Sequence, residues 1–490
     1  MNQFYTATDH FVLLPGLLLA FFGCAILIVD FLILPEARHK KWLLIFVTIG
    51  LAFTGASLYR QHEYLTTQGF EELTAFNGAL TVDGFSLFFN WVFLATSFIV
   101  ALISYKFLDI EGEHHGEYYG LILLAQSGMF FLASGTDLVT IFIGLELMAV
   151  TFYVLVGFLR SDKRSNEAAM KYLLLGAFSS GFLAYGFSLM YGLAGSTRLR
   201  DIAAAFSSRD PWDPIAFLAI ATTAVGLLFK ISAAPFHMWA PDTYEGAPTT
   251  VTAFLSVGSK AASFAFLLRI FLGPLASNRV VWEPILIGVA LLSMTVGNLA
   301  AISQTNVKRL LAYSSISHAG YILLGLIAGN EAGLKGVAVY LMVYTFMNLG
   351  AFLVIIALRR KNILGEDVED MAGLMHTNPG YAVLMLVFML SLAGIPPTAG
   401  FIGKYFIFLS LIQTGHYMLA VAATLYVAIA IYYYLRIVRS MFIADAADDP
   451  VPLASSFGMR LALGITAALT LGIGIYPEPF LRIAQTSLIR

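Results

Sequence analysis

Residues 229–248 have the sequence FKISAAPFHMWAPDTYEGAP, in which Pro235, Pro241 and Gly246 interrupt an otherwise apolar run. A second stretch of this kind, LSLAGIPPTAGFIGKYF, covers residues 390–406. Proline removes a backbone donor and breaks the helical hydrogen-bond ladder. Inside a membrane, the freed carbonyls are tolerated only where they are buried in protein or line a wet cavity. The two stretches therefore predict two interrupted helices in a membrane protein.

The composition of the whole chain agrees with a membrane location. Its 490 residues are 59% hydrophobic and 12% charged, with a mean hydropathy of +0.81, whereas soluble domains carry about 25% charged residues. The first apolar run, 11–34, is too long for a cleavable signal and is predicted to be a span. The single cysteine, Cys24, excludes a disulfide framework and a Cys-based metal or iron–sulfur site. The lack of a basic patch argues against nucleic-acid binding.

Helices are the expected spanning element, since the apolar runs are close to the ~20 residues that cross a bilayer. We predict an all-α integral membrane fold of about fourteen transmembrane helices, with 235–249 forming the second half of the seventh. The predicted spans are 11–34, 42–60, 84–107, 117–134, 137–159, 167–194, 213–234, 250–271, 281–302, 306–328, 334–358, 380–411, 415–437 and 456–480.

The interrupted helices, 7 and 12, lie at comparable positions of two halves, which is typical of transporters with inverted repeats. They are five predicted spans apart, so we predict two inverted five-helix repeats, spans 4–8 and 9–13. Tyr172 and Phe178 in the sixth span align with Tyr340 and Phe346 in the eleventh. The predicted units are N-terminal helices 1–3 (1–116), a first repeat (117–271), a second repeat (281–437) and a C-terminal helix 14 (438–490).

The positions of Lys and Arg predict the orientation, because basic residues favour the inward side. If both termini face outward, most of the loop residues of this type face inward. One outward loop, with Arg198, Arg200 and Arg209, goes against the rule. The inward clusters are Arg38/Lys40/Lys41, Arg160/Lys163/Arg164, Lys308/Arg309, Arg359/Arg360/Lys361 and Arg436/Arg439/Arg460.

Two residues of opposite charge lie deep inside predicted spans. Glu146 is near the middle of the fifth span, and Lys230 is near the centre of the seventh, just before Pro235. A charge at that depth costs about 3 kcal/mol on insertion scales, so it must be paired, hydrated or neutralised. Lysine suits proton exchange because, unlike arginine, it gives up its charge when desolvated. The alternatives are a structural ion pair for Glu146 and a snorkelling side chain for Lys230.

Further ionisable side chains follow along the chain. Lys260 lies mid-span in the eighth helix among small residues, and Lys404 follows the break in the twelfth. Lys171 begins the sixth span, where snorkelling is an equal alternative. His237, expected in the second half-helix, and His318, in the tenth span, suit a hydrogen-bonded proton relay, since neutral histidine both donates and accepts.

Arg269 lies near a helix end and is predicted to be an interfacial anchor. Histidines satisfied by neighbouring serines remain the ordinary alternative for His237 and His318. The sequence has no metal-ligand cluster, no GxGxxG at a helix start and no nucleophile elbow. If the chain belongs to a redox enzyme, electrons do not pass through it.

Three stretches resemble a known family. They are TYEGAPTTVTAFLSVGSKAA (243–262), SQTNVKRLLAYSSISHAGYILLGL (303–326) and MLSLAGIPPTAGFIGKYFIF (389–408). These are similar to the antiporter-like subunits of respiratory complex I, most of all to subunit N of bacterial NADH–quinone oxidoreductase. The resemblance runs from about Asp83 to Arg439. Lys404 distinguishes the chain from subunit M, where this position is usually Glu. Nothing in 456–490 suggests the long lateral helix of subunit L.

The resemblance implies a fourteen-helix proton channel with two inverted five-helix repeats in the bacterial inner membrane. Together with the positions of Lys and Arg, this predicts both termini on the periplasmic side. It implies no cofactor in this subunit, while flavin, iron–sulfur clusters and quinone belong to partner subunits. The expected partners are other membrane-arm subunits, including a neighbouring antiporter-like subunit. Proton-transfer residues of the family match Glu146, Lys230, Lys260 and Lys404. Lys171 matches a sixth-span lysine typical of subunit N.

The implied mechanism is electrostatic. NADH oxidation and quinone reduction elsewhere in the complex would change the pairing of Glu146 with Lys230 and so the proton affinity of Lys230. A proton would then pass between Lys230, Lys260 and Lys404. Two alternatives stay open: a subunit of a multi-subunit Na⁺/H⁺ antiporter, and a structural subunit whose lysines only form ion pairs. Neighbouring genes and Na⁺-dependent activity without NADH would distinguish the first.

Overall fold

The computed structural model describes residues 5–33, 40–359, 365–445, 453 and 455–486. Nearly all regular structure in these ranges is helical. The α-helices are α1 Ala7–Leu32, α2 Lys41–Gln68, α3 Gly84–Glu111, α4 Gly116–Ser134, α5 Leu138–Val156, α6 Lys163–Ala194, α7 Leu199–Ser207, α8 Pro214–Lys230, α9 Trp239–Gly246, α10 Thr249–Phe254, α11 Lys260–Leu272, α12 Arg279–Ile302, α13 Val307–Ala328, α14 Glu331–Leu358, α15 Leu374–Thr377, α16 Pro379–Ala393, α17 Ala399–Gln413, α18 Tyr417–Ile443, α19 Phe457–Ile475 and α20 Glu478–Thr486.

Within the described residues, 11 helices are long and apolar enough to cross a membrane by length and composition. The shorter apolar helices are α8, α16 and α17, the pieces that flank the predicted interruptions. The chain is therefore a multi-pass α-helical membrane protein, as predicted. The count of fourteen spans and the inverted repeat stay predictions.

Both helix interruptions are present where the prolines predicted them. The first runs from Ile231 to Met238, between α8 and α9, and the second separates α16 from α17. Some boundaries differ from the predictions. The second span extends beyond residue 60 to Gln68, where Gly69 ends the helix in the left-handed conformation at φ 69°.

A small sheet departs from the all-α prediction. Strands β1 (Glu72–Ala75) and β2 (Leu80–Asp83) pair antiparallel, with Glu72 opposite Asp83. The connecting turn contains Asn77 and Gly78, both at positive φ, which is typical of a hairpin turn. The short amphipathic helix α7 was also absent from the predicted elements.

The helices differ in how deeply they lie in the bundle. The stretch Thr249–Leu272 is completely buried along its most apolar window, and α13 and α14 are 94% buried. The corresponding windows of α1 and α18 are only 33% buried, so these helices face the lipid or a partner. The central helices, α10, α11, α13 and α14, therefore provide the sheltered positions for polar side chains.

One end of the bundle, which we call the basic end, is closed by cations around the carboxylate of Glu366. Lys308 donates to it at 3.0 Å, Arg164 at 3.1 Å and Arg359 at 3.3 Å. Burial alone would raise the pKa of this carboxyl, but the charge and hydrogen bond of Lys308, with Arg164 and Arg359, hold it below its ordinary value. Three basic residues of the predicted inward clusters, Arg38, Arg360 and Lys361, lie outside the described residues.

The prediction that Arg269 is an interfacial anchor was wrong. Its side chain is buried, contacts both carboxylate oxygens of Asp83 at 3.2 Å and donates to the Ala133 carbonyl at 2.6 Å. Burial of the guanidinium is tolerated because a carboxylate and a carbonyl lie close enough to satisfy it. Arg269 thus ties α11 to the start of α3 and the end of α4.

Candidate functional site: a buried row of ionisable side chains

Lys230 is the last residue of α8 and lies directly before the first interruption, as predicted from Pro235. The chain then turns through Ser232, at φ 61°, and a cis Ala234–Pro235 bond. The Ala234 amide donates to the Ser293 hydroxyl of α12 at 2.8 Å. The break is therefore packed inside protein, as freed backbone groups at membrane depth require.

The expected ion pair between Lys230 and Glu146 is not formed. Lys230 is 4% exposed, and its Nζ atom has no hydrogen-bond partner in the described part of the chain. Glu146, half-buried on α5, instead accepts a hydrogen bond from the Ser180 hydroxyl of α6 at 2.5 Å. The two charges still lie within electrostatic range of each other. The pair is therefore separated but coupled.

An aromatic stack borders Lys230. The indole of Trp239, at the start of α9, donates to the carbonyl of Phe229 at 2.9 Å. The same indole stacks on Tyr172 of α6, with ring centroids 4.6 Å apart and an angle of 18°. In the sequence, Tyr172 is notable only for its alignment with Tyr340 between the predicted repeats. These contacts hold the end of α8 against α6 and α9.

Lys260 is fixed in the middle of the bundle. A π-helical turn, Leu255–Ser259, directly precedes it, and such turns are frequent at functional sites. Its ammonium donates to the Ser315 carbonyl of α13 at 2.8 Å and contacts the hydroxyl of the same residue. The Tyr244 hydroxyl of α9 lies 3.5 Å from that hydroxyl. Ser315 therefore joins Lys260 to the half-helix after the first interruption.

His318 lies between two tyrosines that were not predicted as site residues. Its Nδ1 atom is 2.6 Å from the Tyr340 hydroxyl, and its Nε2 atom is 3.1 Å from the Tyr434 hydroxyl. Tyr434 also contacts the Ser314 hydroxyl. Because a neutral imidazole donates with one nitrogen and accepts with the other, this arrangement can pass a proton in either direction. His318 is completely enclosed and within electrostatic range of Lys260 and Lys404.

At the second interruption, the lysine lies after the break and not before it. Helix α16 ends at Gly394, at φ 85°, and a cis Pro396–Pro397 bond precedes α17. Lys404, inside α17, reaches back and donates to the carbonyls of Leu392 and Ala393, both at 2.9 Å. Carbonyls at a helix C-terminus lack helical partners and carry partial negative charge, so they suit an ammonium group.

Among the described residues, Lys171 and His237 form no hydrogen bond with the side chains of Lys230, Lys260, His318 or Lys404. Lys171 is 44% exposed and forms ion pairs with Glu167 and Asp242, both at 2.8 Å. His237 is half-buried in the turn of the first interruption, two residues before α9, so its predicted place in the second half-helix was wrong.

Lysine and neutral histidine side chains can each take up and release a proton. Amines buried this deeply persist only where hydroxyls, carbonyls or a nearby carboxylate compensate their charge. Lys260, His318 and Lys404 meet these conditions through contacts from other helices. No group of three or more His, Cys, Asp or Glu side chains that could bind a metal ion occurs among the described residues.

Comparison with known proteins identifies the family. A family model described as NADH:quinone oxidoreductase/Mrp antiporter, TM, matches residues 135–430. A protein of Solibacter usitatus named NADH-quinone oxidoreductase subunit N 2 is 70% identical over 489 residues, with 100% of this chain and 99% of that protein covered. The subunit N 1 of Koribacter versatilis is 55% identical, with 98% and 96% covered. The chain belongs to the subunit N family of NADH–quinone oxidoreductase.

Solved structures agree with this assignment. A chain of respiratory complex I from Thermus thermophilus matches with a TM-score of 0.80 at 33% identity, covering 96% of this chain and 99% of that one. A chain of the Mrp complex from a Dietzia species has a TM-score of 0.84 at 21% identity, with 97% of each chain covered, which shows a common fold alone. The predicted assignment to subunit N is confirmed. Its predicted function, that of a proton-translocating subunit without redox chemistry of its own, is the function of this family.

Proposed function

We propose that protons cross this subunit along the row Glu146, Lys230, Lys260, His318 and Lys404. The observation that carries the proposal is that the last three side chains lie at the centre of the bundle and are bonded to polar groups of other helices. Lysine and histidine can exchange a proton, and the surrounding hydroxyls can carry it between them. Arginine in these positions would remain charged and could not take part.

Glu146 and Lys230 form the switch in this proposal. Because the carboxylate and the ammonium are not in contact, a small displacement of α5 changes their attraction without breaking a hydrogen bond between them. A movement of Glu146 toward Lys230 favours the charged lysine, and a movement away from it favours release of the proton. Glu146 is half-buried on α5, and other side chains of this helix are exposed on the lateral surface of the bundle. A neighbouring subunit is thus able to act on it.

Lys260 and His318 form the connection between the two interruptions. Lys260 contacts Ser315, whose hydroxyl lies near Tyr244. The ring of Tyr321 lies 6.2 Å from that of His318 and 5.1 Å from Nζ of Lys404. We assign Lys404 the role of terminal acceptor, since the carbonyls of α16 stabilise its positive charge. His237 and Lys171 receive no place in the relay.

In the assembled enzyme this chain would belong to the membrane arm, beside another antiporter-like subunit, in the inner membrane. Flavin, iron–sulfur clusters and quinone would be held by partner subunits. The predicted repeats, 117–271 and 281–437, would each provide one interrupted helix. The outward position of both termini follows from the basic residues.

Substitution of Lys230 by alanine tests the proposal. We expect assembled complex that carries Lys230→Ala to lose NADH-driven proton pumping by about tenfold or more, as for loss of a proton-transfer group. The measurement is pH-gradient formation in inverted membrane vesicles, with assembly checked by native electrophoresis. Wild-type quinone reduction and pumping in this variant would contradict the route. Pumping that depends on Na⁺ and not on NADH would favour the antiporter alternative.

A further inference from the structure

The half-helix α9, Trp239–Gly246, is held by charges from two sides. The carboxylate of Asp242 accepts from Lys171 of α6 at 2.8 Å and from Arg309 of α13 at 2.8 Å. Arg309 also pairs with Glu245, one turn further along α9, at 2.8 Å. Helices of both predicted repeats therefore contact the same short helix at the basic end.

The end of α9 is fixed as well. The carbonyl of Glu245 accepts from Arg164 at 3.2 Å, and the carbonyl of Ala247 accepts from Lys308 at 2.7 Å. A Cβ atom on Gly246 would lie 2.6 Å from the backbone oxygen of Arg164. The contact between α9 and α6 is thus close, and there is little room for α9 to take another position while these bonds persist.

The other face of α9 reaches both buried lysines. Trp239 donates to the carbonyl of Phe229, the residue before Lys230. Tyr244 lies 3.5 Å from the Ser315 hydroxyl that contacts Lys260. Asp242 lies between Trp239 and Tyr244 on this eight-residue helix. A rotation or shift of α9 would therefore change the surroundings of both lysines together.

We infer that Asp242 is a positioning residue for proton transfer. Its carboxylate holds α9 between α6 and α13, and α9 in turn sets Tyr244 and Trp239 in the space between Lys230 and Lys260. This role deepens the proposed function and depends on it. Lys171 also gains a role, since its side chain fixes α9 and does not carry the proton.

The chain offers a matched control for this inference. Lys171 pairs at the same distance with two carboxylates, Asp242 on α9 and Glu167 on its own helix. Glu167→Gln removes one partner of Lys171 without removing a contact to α9. Asp242→Asn removes the partner that holds α9, and Asp242→Glu keeps the charge.

The experiment measures deuterium uptake of residues 239–246 and NADH-driven pumping in the assembled complex. We expect Asp242→Asn to speed exchange in this segment about fivefold, because local opening becomes easier, and to lower pumping about fivefold. Asp242→Glu should recover most of both. Glu167→Gln should leave both at the wild-type level. If Asp242→Asn fails to assemble, Lys171→Met provides the same test, with a smaller effect because Arg309 remains.

The inference is overturned if exchange in 239–246 is unchanged in Asp242→Asn and Lys171→Met. It is also overturned if pumping falls without faster exchange, since Asp242 would then act on the proton itself, or if Glu167→Gln has the effect of Asp242→Asn. Exchange reports on α9 whether or not protons follow the proposed row. Faster exchange in Asp242→Asn together with normal pumping in Lys230→Ala would place the failure in the proposed function and not in the fixing of α9.

Discussion

Both interrupted helices have a buried lysine close to a proline break, but the two ammonium groups have different surroundings. In the first, Lys230 closes α8, and its ammonium has no hydrogen-bond partner in the described ranges. In the second, Lys404 lies beyond the break, and its ammonium binds two carbonyls at the end of α16. Both interruptions contain a cis proline bond and are packed in protein.

This difference suits Lys230 to a switching role and Lys404 to the role of proton acceptor. The charge of Lys230 depends on a carboxylate that it does not touch, so a moderate displacement of Glu146 changes it. The charge of Lys404 is stabilised by two carbonyls at the end of α16, which carry partial negative charge. We therefore expect the first interruption to control proton movement and the second to receive the proton.

The largest expected effect is a contrast in stability between the two lysines. Lys404→Met leaves two buried carbonyls without their donor, which should cost about 2–5 kcal/mol. Lys230→Met removes a charge that has no hydrogen bond to lose, so complex stability should remain or rise. Thermal inactivation of the purified complexes measures both. Equal destabilisation by the two substitutions would remove the distinction on which this comparison depends.

Arginine substitution separates charge from proton exchange. Lys404→Arg keeps a donor for the carbonyls of Leu392 and Ala393, so assembly should be close to the wild-type level. Pumping should nevertheless fall about tenfold or more, because arginine does not release its proton. Vesicle pumping assays with quantified complex provide the test. Normal pumping by Lys404→Arg would show that this position only holds charge.

A smaller effect is expected at the glycine that admits Lys404. A Cβ atom on Gly394 would lie 2.7 Å from Cδ of the lysine, and the φ of 85° strains any other residue. Gly394→Ala should cost about 1–2 kcal/mol and displace the lysine. Gly380→Ala on the same helix is the control, since nothing lies within 4 Å of its added carbon. If both variants pump and unfold alike, the close approach of Gly394 to Lys404 is not needed for function.

The smallest expected effect concerns the partner of Glu146. Ser180→Ala removes the hydrogen bond that holds the carboxylate away from Lys230. A hydrogen bond to a charged group contributes about 1.5 kcal/mol of stability. Because only part of this energy affects the pairing of Glu146 with Lys230, we expect pumping to slow about threefold. Ser188→Ala on the same helix is the control, because its hydroxyl bonds only the Tyr185 carbonyl among the described residues. Faster or unchanged pumping in Ser180→Ala would argue that this bond does not set the switch.

Much of the fold was predictable from the sequence, since membrane solvation imposes strong local rules. Proline and glycine in apolar runs predicted both interruptions. Lys260 and Lys404 are buried, as their mid-span positions indicated, and their role in proton transfer stays a prediction. The hairpin was missed because strands of four residues carry little signal of their own. Helix ends shifted by several residues where a glycine or a turn set the boundary.

The contacts of the site were harder to predict. Ser180, Ser315, Tyr340 and Tyr434 come from helices far apart in the sequence, and serines and tyrosines are common in membrane helices. Only the packing of α13, α14 and α18 shows which of them reach His318 or a lysine. For the same reason the expected contact between Glu146 and Lys230 was wrong, although both residues belong to the proposed row.

In the proposed mechanism, a single proton relay joins the two interruptions through Lys260. The most direct test is NADH-driven proton pumping by assembled complex that carries Lys260→Met, alone and combined with Lys230→Ala. We expect a loss of about tenfold or more for each single variant and no further loss in the double variant, because both substitutions act on one path. Wild-type pumping by Lys260→Met, or losses that multiply in the double variant, would contradict a single relay.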